Sequence, residues 1–253
     1  MQSLPAEALG DASETEIACY DKLVQMLQAA PIPNNEILAN LGLFLTRPTL
    51  SRLLFLARMY DKQLHVPGVI MEFGCRWGQN LAVMATLRNI FEPHNYWRRI
   101  IGFDTFAGFP SVSAAHDRSR YAVPGNFGVS ENYEAVLDDL MACHEALAPR
   151  PHLRRFELVK GDVVETVPAY LAKHPDTIVS LAYFDLDLYE PTKAALEAVL
   201  PRLVKGSVLV FDELCIGEFP GETVAVADSI GFRELRLTRD PASVAVSYAI
   251  FGD

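Results

Sequence analysis

Hydrophobic residues recur at helical spacing in the N-terminal part of the chain. Ser13 and Glu16 have the spacing of a capping box, which marks the start of a helix. The positions that follow form one apolar stripe: Ile17, Tyr20, Leu23, Val24 and Leu27. The proline-containing stretch 31–35 ends this helix, and Pro48 opens a further one. That second helix presents a single apolar face: Leu50, Leu53, Leu54 and Ala57. We therefore predict an N-terminal helical segment over residues 1–62, acting as a lid or in oligomer contacts.

Beyond Pro67 the pattern changes to short apolar runs, which are typical of buried strands. Five strands are predicted in this region: 69–73, 99–103, 155–159, 178–184 and 207–211. Two further apolar runs, near 233–238 and 243–251, add two strands. Because these last two lie too close in sequence for a crossover helix, we expect them to pair antiparallel at the sheet edge.

Helical sequence separates several of these strands, over 79–91, 131–147 and 192–203. We expect Ser130 to cap the second helix, and Pro191 and Gly206 to bracket the third. Alternating strands and helices predict an α/β fold: a doubly wound, mostly parallel seven-stranded sheet with an antiparallel edge strand. This sheet forms one domain over residues 63–253, preceded by the N-terminal helices.

The charge balance excludes several classes of protein. The chain has 22 Lys and Arg against 32 Asp and Glu, a formal net charge of −10. A nucleic-acid binder needs a basic face, and so does a protein that docks on an anionic membrane. With 50% hydrophobic and 21% charged residues, the chain can build a sizeable core. We therefore expect a folded protein with neither nucleic-acid nor membrane partners.

The sequence also indicates a cytoplasmic protein. Its longest stretch without a charged residue, 23–35, contains two prolines, so no segment can span a bilayer. The first charge is the acidic Glu7 and no apolar region follows it, so the N-terminus does not resemble a signal peptide. The four cysteines lack metal-binding spacing and are expected to be reduced thiols: Cys19, Cys75, Cys143 and Cys215.

Carboxylates stand at every predicted strand end where an open α/β sheet binds its ligands. They are Glu72, Asp104, Asp162, Asp185, Asp187, Asp212 and Glu213. The first loop has Gly74 and Gly78 but Arg76 in place of the second glycine of the dinucleotide fingerprint, which disfavours a pyrophosphate. A ligand with an adenosine and an amino-acid part suits it better. Glu72 can hold a cationic group, and Asp104 can accept hydrogen bonds from ribose hydroxyls.

The fourth and fifth strand ends predict a metal site. These strands should be neighbours, and Asp185 and Asp187 would share one side of an extended chain, with Asp212 and Glu213 beside them. Such carboxylates repel one another unless a cation is present, and oxygen ligands favour Mg²⁺, Mn²⁺ or Ca²⁺. In the alternative interpretation, Asp187 and Glu213 face solvent or cap the next helix. A loop over 108–130, without clear periodicity, is predicted to be a lid or a binding loop.

Five segments resemble motifs of the macrocin O-methyltransferase (TylF-like) family, in the family's order and spacing. They are 66–78, 104–110, 161–168, 185–192 and 206–213, and the resemblance covers about residues 40–230. Asp-Leu-Asp-Leu-Tyr-Glu at 185–190 is the most specific of them. The resemblance implies a class I methyltransferase with a Rossmann-like sheet that uses S-adenosylmethionine and a divalent metal, Mg²⁺ or Mn²⁺.

The resemblance also implies site residues. The cofactor would be bound by Glu72, Gly74, Gly78, Asp104, Thr105 and Asp162. The metal would be held by Asp185, Asp212 and Glu213. The base is a separate prediction that does not come from the resemblance: Asp185, Asp187 or His116 from the loop could take the proton of the acceptor hydroxyl, and we favour Asp185. The chain departs from the family pattern at Glu213, where a second Asp is common, and at Leu186, where Gly is frequent.

The expected function is O-methylation of a sugar hydroxyl, on a glycosylated natural product, a polysaccharide precursor or a sugar nucleotide. The expected assembly is a homo-oligomer. The alternatives are a methyltransferase acting on a phenol, carboxylate or amine, an Asp-x-Asp glycosyltransferase, and a non-catalytic binding protein.

Overall fold

The computed structural model describes residues 13–241, 243 and 245–253. The chain divides between Ser51 and Arg52 into two compact units. In the first unit, helix α1 (Glu14–Gln28) begins at the predicted capping box, where Ser13 Oγ accepts from the Glu16 N–H at 3.3 Å. A short 3₁₀ helix (Leu38–Phe44) follows. No side chain of α1 is fully buried: in the predicted apolar stripe, Val24 and Leu27 are exposed, and the other members are half-buried, namely Ile17, Tyr20 and Leu23.

Helix α2 (Arg47–Gln63) has Pro48 in its first turn, as predicted, but buries a different face. Leu50 and Leu54 are exposed. The fully buried apolar side chains are Phe55, Leu56, Met59 and Tyr60. Apolar residues lie on more than one face of this helix, and packing on the sheet selects the face that is buried. The predicted division after residue 62 and the role of the segment before it stay predictions.

The second unit contains the predicted seven-stranded sheet. Its strands are β1 (Val69–Phe73), β2 (Ile100–Asp104), β3 (Phe156–Lys160), β4 (Val179–Phe184), β5 (Leu203–Phe211), β6 (Thr238–Arg239) and β7 (Ser247–Ile250). They are ordered β3-β2-β1-β4-β5-β7-β6. The first five are parallel, and β7 runs antiparallel to both β5 and β6. The order reverses between β1 and β4, which is where open α/β sheets bind ligands.

Five helices complete this unit: α3 (Gln79–Phe91), α4 (Tyr133–Ala146), α5 (Val163–Lys173), α6 (Tyr189–Val199) and α7 (Pro220–Ser229). One face of the sheet packs against α2, α3 and α4, and the opposite face packs against α5, α6 and α7. The sheet is therefore doubly wound, as predicted. Helices α5 and α7 were not predicted from the apolar periodicity of the sequence. Of the helices described, none is both long and apolar enough to cross a bilayer.

Two predicted helix boundaries were wrong. Asn132, in a left-handed conformation (φ +57°), and not Ser130, is the N-cap of α4. Gly206 lies inside β5 and does not terminate the helix before it, since α6 ends at Val199. The pairing of β4 with β5 shifts register between Val179 and Leu181, opposite this part of β5. Gly206 (φ +93°) suits such an irregularity, because glycine has no Cβ and can adopt a positive φ without a steric clash.

Candidate active site

The site lies at the carboxyl ends of the parallel strands, and its loops carry unusual backbone conformations. Non-glycine residues with positive φ follow β1, β2, β4 and β5: Arg76, Phe106, Asp187 and Cys215. A positive φ is energetically costly for a residue with a Cβ, and residues in this conformation concentrate at functional sites. Their position at one edge of the sheet agrees with the predicted location of the site.

The loop between β1 and α3 depends on two glycines. A Cβ on Gly74 (φ +86°) would lie 1.7 Å from the Asp185 carbonyl oxygen, and a Cβ on Gly78 (φ +75°) would lie 2.2 Å from Leu137 Cδ1. Both glycines are therefore required by packing within the protein. Gly74 brings the end of β1 against the end of β4, so that the two predicted halves of the site adjoin each other.

Glu72 is buried at the end of β1. Its Oε1 accepts a hydrogen bond from Asn80 Nδ2 at 2.8 Å. Its Oε2 is buried without a hydrogen-bond partner among the described residues. Burial raises the pKa of Glu72 to about 8, although the Asn80 hydrogen bond opposes that shift. An unpartnered buried carboxylate oxygen here fits the prediction that Glu72 holds a cationic group.

Asp104 ends β2 and accepts two backbone hydrogen bonds. The Arg76 N–H donates to Oδ2 at 2.7 Å, and the Phe106 N–H donates to Oδ1 at 2.6 Å. The Thr105 hydroxyl orders the following turn, since it donates to the Gly108 carbonyl at 2.7 Å. The carboxylate is therefore held rigidly, with both oxygens at the strand end. Burial raises the pKa of Asp104 above its ordinary value.

Asp162, which follows β3, has a structural role in the fold. It is the N-cap of α5, and its carboxylate accepts from the Val164 N–H at 3.0 Å. A helix N-cap is the ordinary position for such a residue. Its predicted place near the adenine of a cofactor stays a prediction.

Three carboxylates converge at the ends of β4 and β5, and we call them the acidic cluster: Asp185, Asp212 and Glu213. One oxygen of each lies within 4.8 Å of the others. Desolvation, and then the charge of Asp212, raise the pKa of Asp185 and of Glu213 well above their usual ranges. The positions of these residues at two neighbouring strand ends predicted this convergence.

The acidic cluster has two partners that the sequence analysis missed. Arg52 of α2 donates to Asp212 Oδ2 at 2.8 Å, and its guanidinium lies 3.7 Å from Asp185. The buried Tyr183 hydroxyl donates to the other oxygen of Asp212 and accepts from Arg52 at 3.0 Å. Tyr183 had a usable signal, because a residue two positions before Asp185 in a strand shares its face. Nothing local to Arg52 indicates that α2 reaches these strand ends.

Asp187 does not follow the geometry that its spacing suggested. Its φ of +61° takes the backbone out of the extended conformation after Asp185. The premise that an extended chain would place both side chains on one side is therefore wrong. Asp187 is also outside the set of three whose oxygens converge. Its catalytic role stays a prediction.

The acidic cluster fits a hard divalent cation. Its donors are all carboxylate oxygens, the kind that Mg²⁺ and Mn²⁺ prefer. Glu213 Oε2 is buried without a hydrogen-bond partner among the described residues. The hydrogen bonds from Arg52 and Tyr183 orient Asp212, as outer partners of metal-binding carboxylates commonly do.

The predicted loop over 108–130 contains no helix or strand in the structure and packs on α6 and the start of α7. Buried Asp117 accepts from the Ser113 N–H at 3.0 Å and from the Tyr189 N–H, at the start of α6, at 2.9 Å. Phe127 and Tyr121 contact Phe219, which immediately precedes α7. The loop is thus attached to the elements that follow β4 and β5, beside the acidic cluster.

Comparison with known proteins identifies the family. A family model described as "Methyltransferase domain" matches residues 71–214, more than half of the chain. The chain belongs to this methyltransferase family. The match begins in β1 and ends after β5, so it includes the strand ends described above. The predicted enzyme class and the resemblance to the macrocin O-methyltransferase family are confirmed.

The methyltransferase is similar along its whole length to a solved structure, the crystal structure of CalS11, calicheamicin methyltransferase. The two are 44% identical with a TM-score of 0.94, over 100% of this chain and 99% of that one. An apo structure of CalS11, described as TDP-rhamnose 3'-O-methyltransferase, is 41% identical with a TM-score of 0.86, over 98% of this chain and 100% of that one. The predicted fold class is thereby confirmed.

A curated relative comes from Streptomyces olivaceus. It is 8-demethyl-8-(2,3-dimethoxy-alpha-L-rhamnosyl)-tetracenomycin-C 4'-O-methyltransferase, 29% identical over 156 residues. The alignment covers 60% of this methyltransferase and 54% of that protein, about half of its length.

Proposed function

We propose that this methyltransferase transfers the methyl group of S-adenosylmethionine to a sugar hydroxyl with the help of a divalent cation. The observation that carries the proposal is that the acidic cluster lies on the same edge of the sheet as Glu72 and Asp104, around the reversal of strand order. Gly74 allows the ends of β1 and β4 to adjoin, so a cofactor on one side faces an acceptor on the other. Donor and acceptor must be adjacent for methyl transfer.

The cofactor-binding residues would be those of the first three strand ends. The unpartnered oxygen of Glu72 would accept from the ammonium group of the methionine part. Gly74 and Gly78 would let the backbone lie close to that part of the cofactor. Asp104, fixed by two backbone N–H groups, would accept from the ribose hydroxyls, with Thr105 ordering its turn. Asp162 would lie near the adenine.

The acceptor side would be organised by the acidic cluster. Asp185, Asp212 and Glu213 would hold Mg²⁺ or Mn²⁺, which when bound supplies a positive charge that lowers the pKa of the acceptor hydroxyl. Arg52 and Tyr183 would keep Asp212 oriented throughout. Positioning the acceptor oxygen in line with the methyl carbon removes much of the entropic barrier of a reaction between two molecules.

The transfer itself is an in-line displacement. The acceptor oxygen forms a bond to the methyl carbon while the carbon–sulfur bond breaks and its electron pair returns to sulfur. The hydroxyl proton must go to a base, and we assign Asp185, with Asp187 as the second candidate. Asp185 lies at the end of β4, where it can face both the loop that would bind the cofactor and the other two carboxylates of the acidic cluster.

For the acceptor we propose a rhamnose-type sugar. The full-length relative is described as acting on TDP-rhamnose, and the curated relative is named for a rhamnosyl natural product. The shared chemistry is a deoxyhexose hydroxyl, carried by a nucleotide in one case and by tetracenomycin C in the other. The position methylated differs between these two relatives.

The test is an activity assay with defined acceptors. The full chain is incubated with S-adenosylmethionine, Mg²⁺ and either TDP-rhamnose or a rhamnosylated natural product, and methylated sugar is measured by mass spectrometry. We expect turnover that EDTA abolishes and Mg²⁺ or Mn²⁺ restores. Asp185→Asn should lower kcat by orders of magnitude while the cofactor still binds. Full turnover in EDTA would exclude the cation mechanism, and a lack of methylation of both rhamnose acceptors would contradict the sugar assignment.

A further inference from the structure

A fourth carboxylate lies beside the acidic cluster, in the first turn of α7. The side chain of Glu222 is fully buried, with 0% of its surface exposed. Its Oε1 accepts a hydrogen bond from the Glu213 backbone N–H at 3.1 Å. Its Oε2 is buried and receives no hydrogen bond from a described donor, and its carboxyl group also faces the Glu213 side chain. Glu213 Oε2 is also buried without a hydrogen-bond partner among the described residues.

Burying the Glu222 carboxylate away from water costs free energy. A buried carboxylate without a countercharge costs several kcal/mol relative to water, according to general solvation estimates. Arg52 forms ion pairs with Asp212 and Asp185, but among the described residues no basic side chain forms one with Glu222. An apolar residue would fill this position at lower cost, since Ala225 and Val226 of the same helix are also buried.

The fold prevents Glu222 from moving away from the acidic cluster. Phe219, just before α7, packs on Tyr121 and Phe127. Gly221 lies so close to Asp117 that a Cβ would be 2.2 Å from its Oδ1. These contacts fix the first turn of α7. The carboxylate of Glu222 is therefore held against the backbone of Glu213.

We propose that Glu222 is a positioning residue of the cation site. Its Oε1 holds the backbone of Glu213, and its charge adds to the attraction that binds a divalent cation at the acidic cluster. This inference rests on the cation site of the proposed function. Affinity for hard cations rises with the number of carboxylate charges around them. Partners behind the direct ligands commonly change metal affinity by about 10–100-fold.

The experiment measures cation binding and not turnover. Mn²⁺ is titrated into the full chain by calorimetry, in the wild type, Glu222→Gln and the exposed control Glu218→Gln. Glutamine keeps an acceptor for the Glu213 N–H, so a lower affinity reports the lost charge. We expect Mn²⁺ to bind Glu222→Gln about tenfold more weakly, or worse, and Glu218→Gln like the wild type. Affinity for S-adenosylhomocysteine should be unchanged in both variants, which also verifies folding.

The outcomes separate this inference from the proposed function. Equal Mn²⁺ affinity in the wild type and Glu222→Gln would overturn the role of Glu222 and leave the proposed function standing. A wild-type protein that binds no Mn²⁺ would overturn both this inference and the cation part of the proposed function. If Glu222→Gln does not fold, Glu222→Met serves as the second charge-removing variant of similar length, with the same expectation.

Discussion

At the scale of single residues, the site is built from carboxylates whose surroundings are unequal. Asp104 has both oxygens satisfied by backbone N–H groups, and Asp212 has both satisfied by Tyr183 and Arg52. Glu72 has one buried oxygen without a partner. The hydrogen-bonded carboxylates of Asp104 and Asp212 are held in place before any ligand binds. The second oxygen of Glu72 gains a hydrogen-bond or ion-pair partner only when a donor or a cation binds.

The pKa of Glu72 predicts a pH-dependent stability. Its folded-state pKa is about 8, above the ordinary 4.5, so the folded state binds this proton more tightly than the unfolded state does. The resulting stabilisation is complete below about pH 4.5 and is lost as the pH rises through about 8. Glutamine does not titrate. We therefore expect the unfolding temperature of ligand-free Glu72→Gln to rise relative to wild type between pH 5 and 8.

Thermal unfolding across that pH range checks this prediction. Glu131→Gln, an exposed substitution in the loop before α4, is the matched control and should show no such trend. A difference between wild type and Glu72→Gln that does not vary with pH would contradict the assigned pKa.

At the scale of elements, a buried ionic network ties together α3, α4 and the start of β3. Glu145 accepts from Arg88 Nη2 at 2.6 Å and from Arg155 Nη2 at 3.1 Å, and all three side chains are buried. Burial lowers the pKa of Arg88, although Glu145 opposes that shift. Arg88 also donates to the Arg155 carbonyl at 2.9 Å. These contacts hold two helices to the strand that carries the predicted adenine side of the cofactor site.

We expect Glu145→Gln to lower the free energy of unfolding by about 3–5 kcal/mol, because it leaves two buried guanidinium groups without a countercharge. Urea unfolding measures the effect. Glu157→Gln is the control, because it breaks a half-exposed pair with Arg99 and should cost at most about 1 kcal/mol. Equal costs for the two variants would mean that the buried network does not carry the expected energy.

At the scale of the whole molecule, two binding functions share one sheet edge. Asp104 ends β2, whereas Asp212 follows β5, and β1 and β4 lie between these strands. Their side chains have separate partners. The proposed cofactor and cation sites should therefore be separable by mutation, although turnover needs both.

We expect Asp104→Ala to weaken S-adenosylhomocysteine binding by about 1.5–3 kcal/mol, the loss of hydrogen bonds to a charged acceptor, with Mn²⁺ affinity retained. Asp212→Asn should weaken Mn²⁺ binding and leave S-adenosylhomocysteine affinity unchanged, and both variants should lose turnover. Calorimetry with each ligand makes the comparison. Loss of both affinities in either variant would show that the two sites are not independent.

The predicted homo-oligomer, the cytoplasmic location and the absence of nucleic-acid and membrane partners stay predictions at this scale. Within the part of the chain that the structure describes, Val24 and Leu27 of α1 are exposed. Sedimentation of the purified protein would measure its oligomeric state.

The sequence by itself determined the succession of strands along the chain, the helices other than α5 and α7, and the carboxylates at the strand ends. This was possible because both signals are local: apolar runs mark buried strands, and parallel strands of one sheet bring their carboxyl ends to the same edge. Asp104, Asp185 and Asp212 could thus be placed from their positions alone. The family resemblance added the cofactor and the metal.

Only the tertiary structure decided which side chains meet at that edge. Arg52 reaches Asp212 from a helix 160 positions earlier in the sequence, and Glu222 reaches Glu213 from a helix that showed no usable periodicity. The left-handed backbone at Asp187 redirects a residue that spacing alone would have paired with Asp185. These arrangements depend on how α2 and α7 pack on opposite faces of the sheet. Packing between distant segments has no signature in local sequence, so it becomes visible only when the chain is folded.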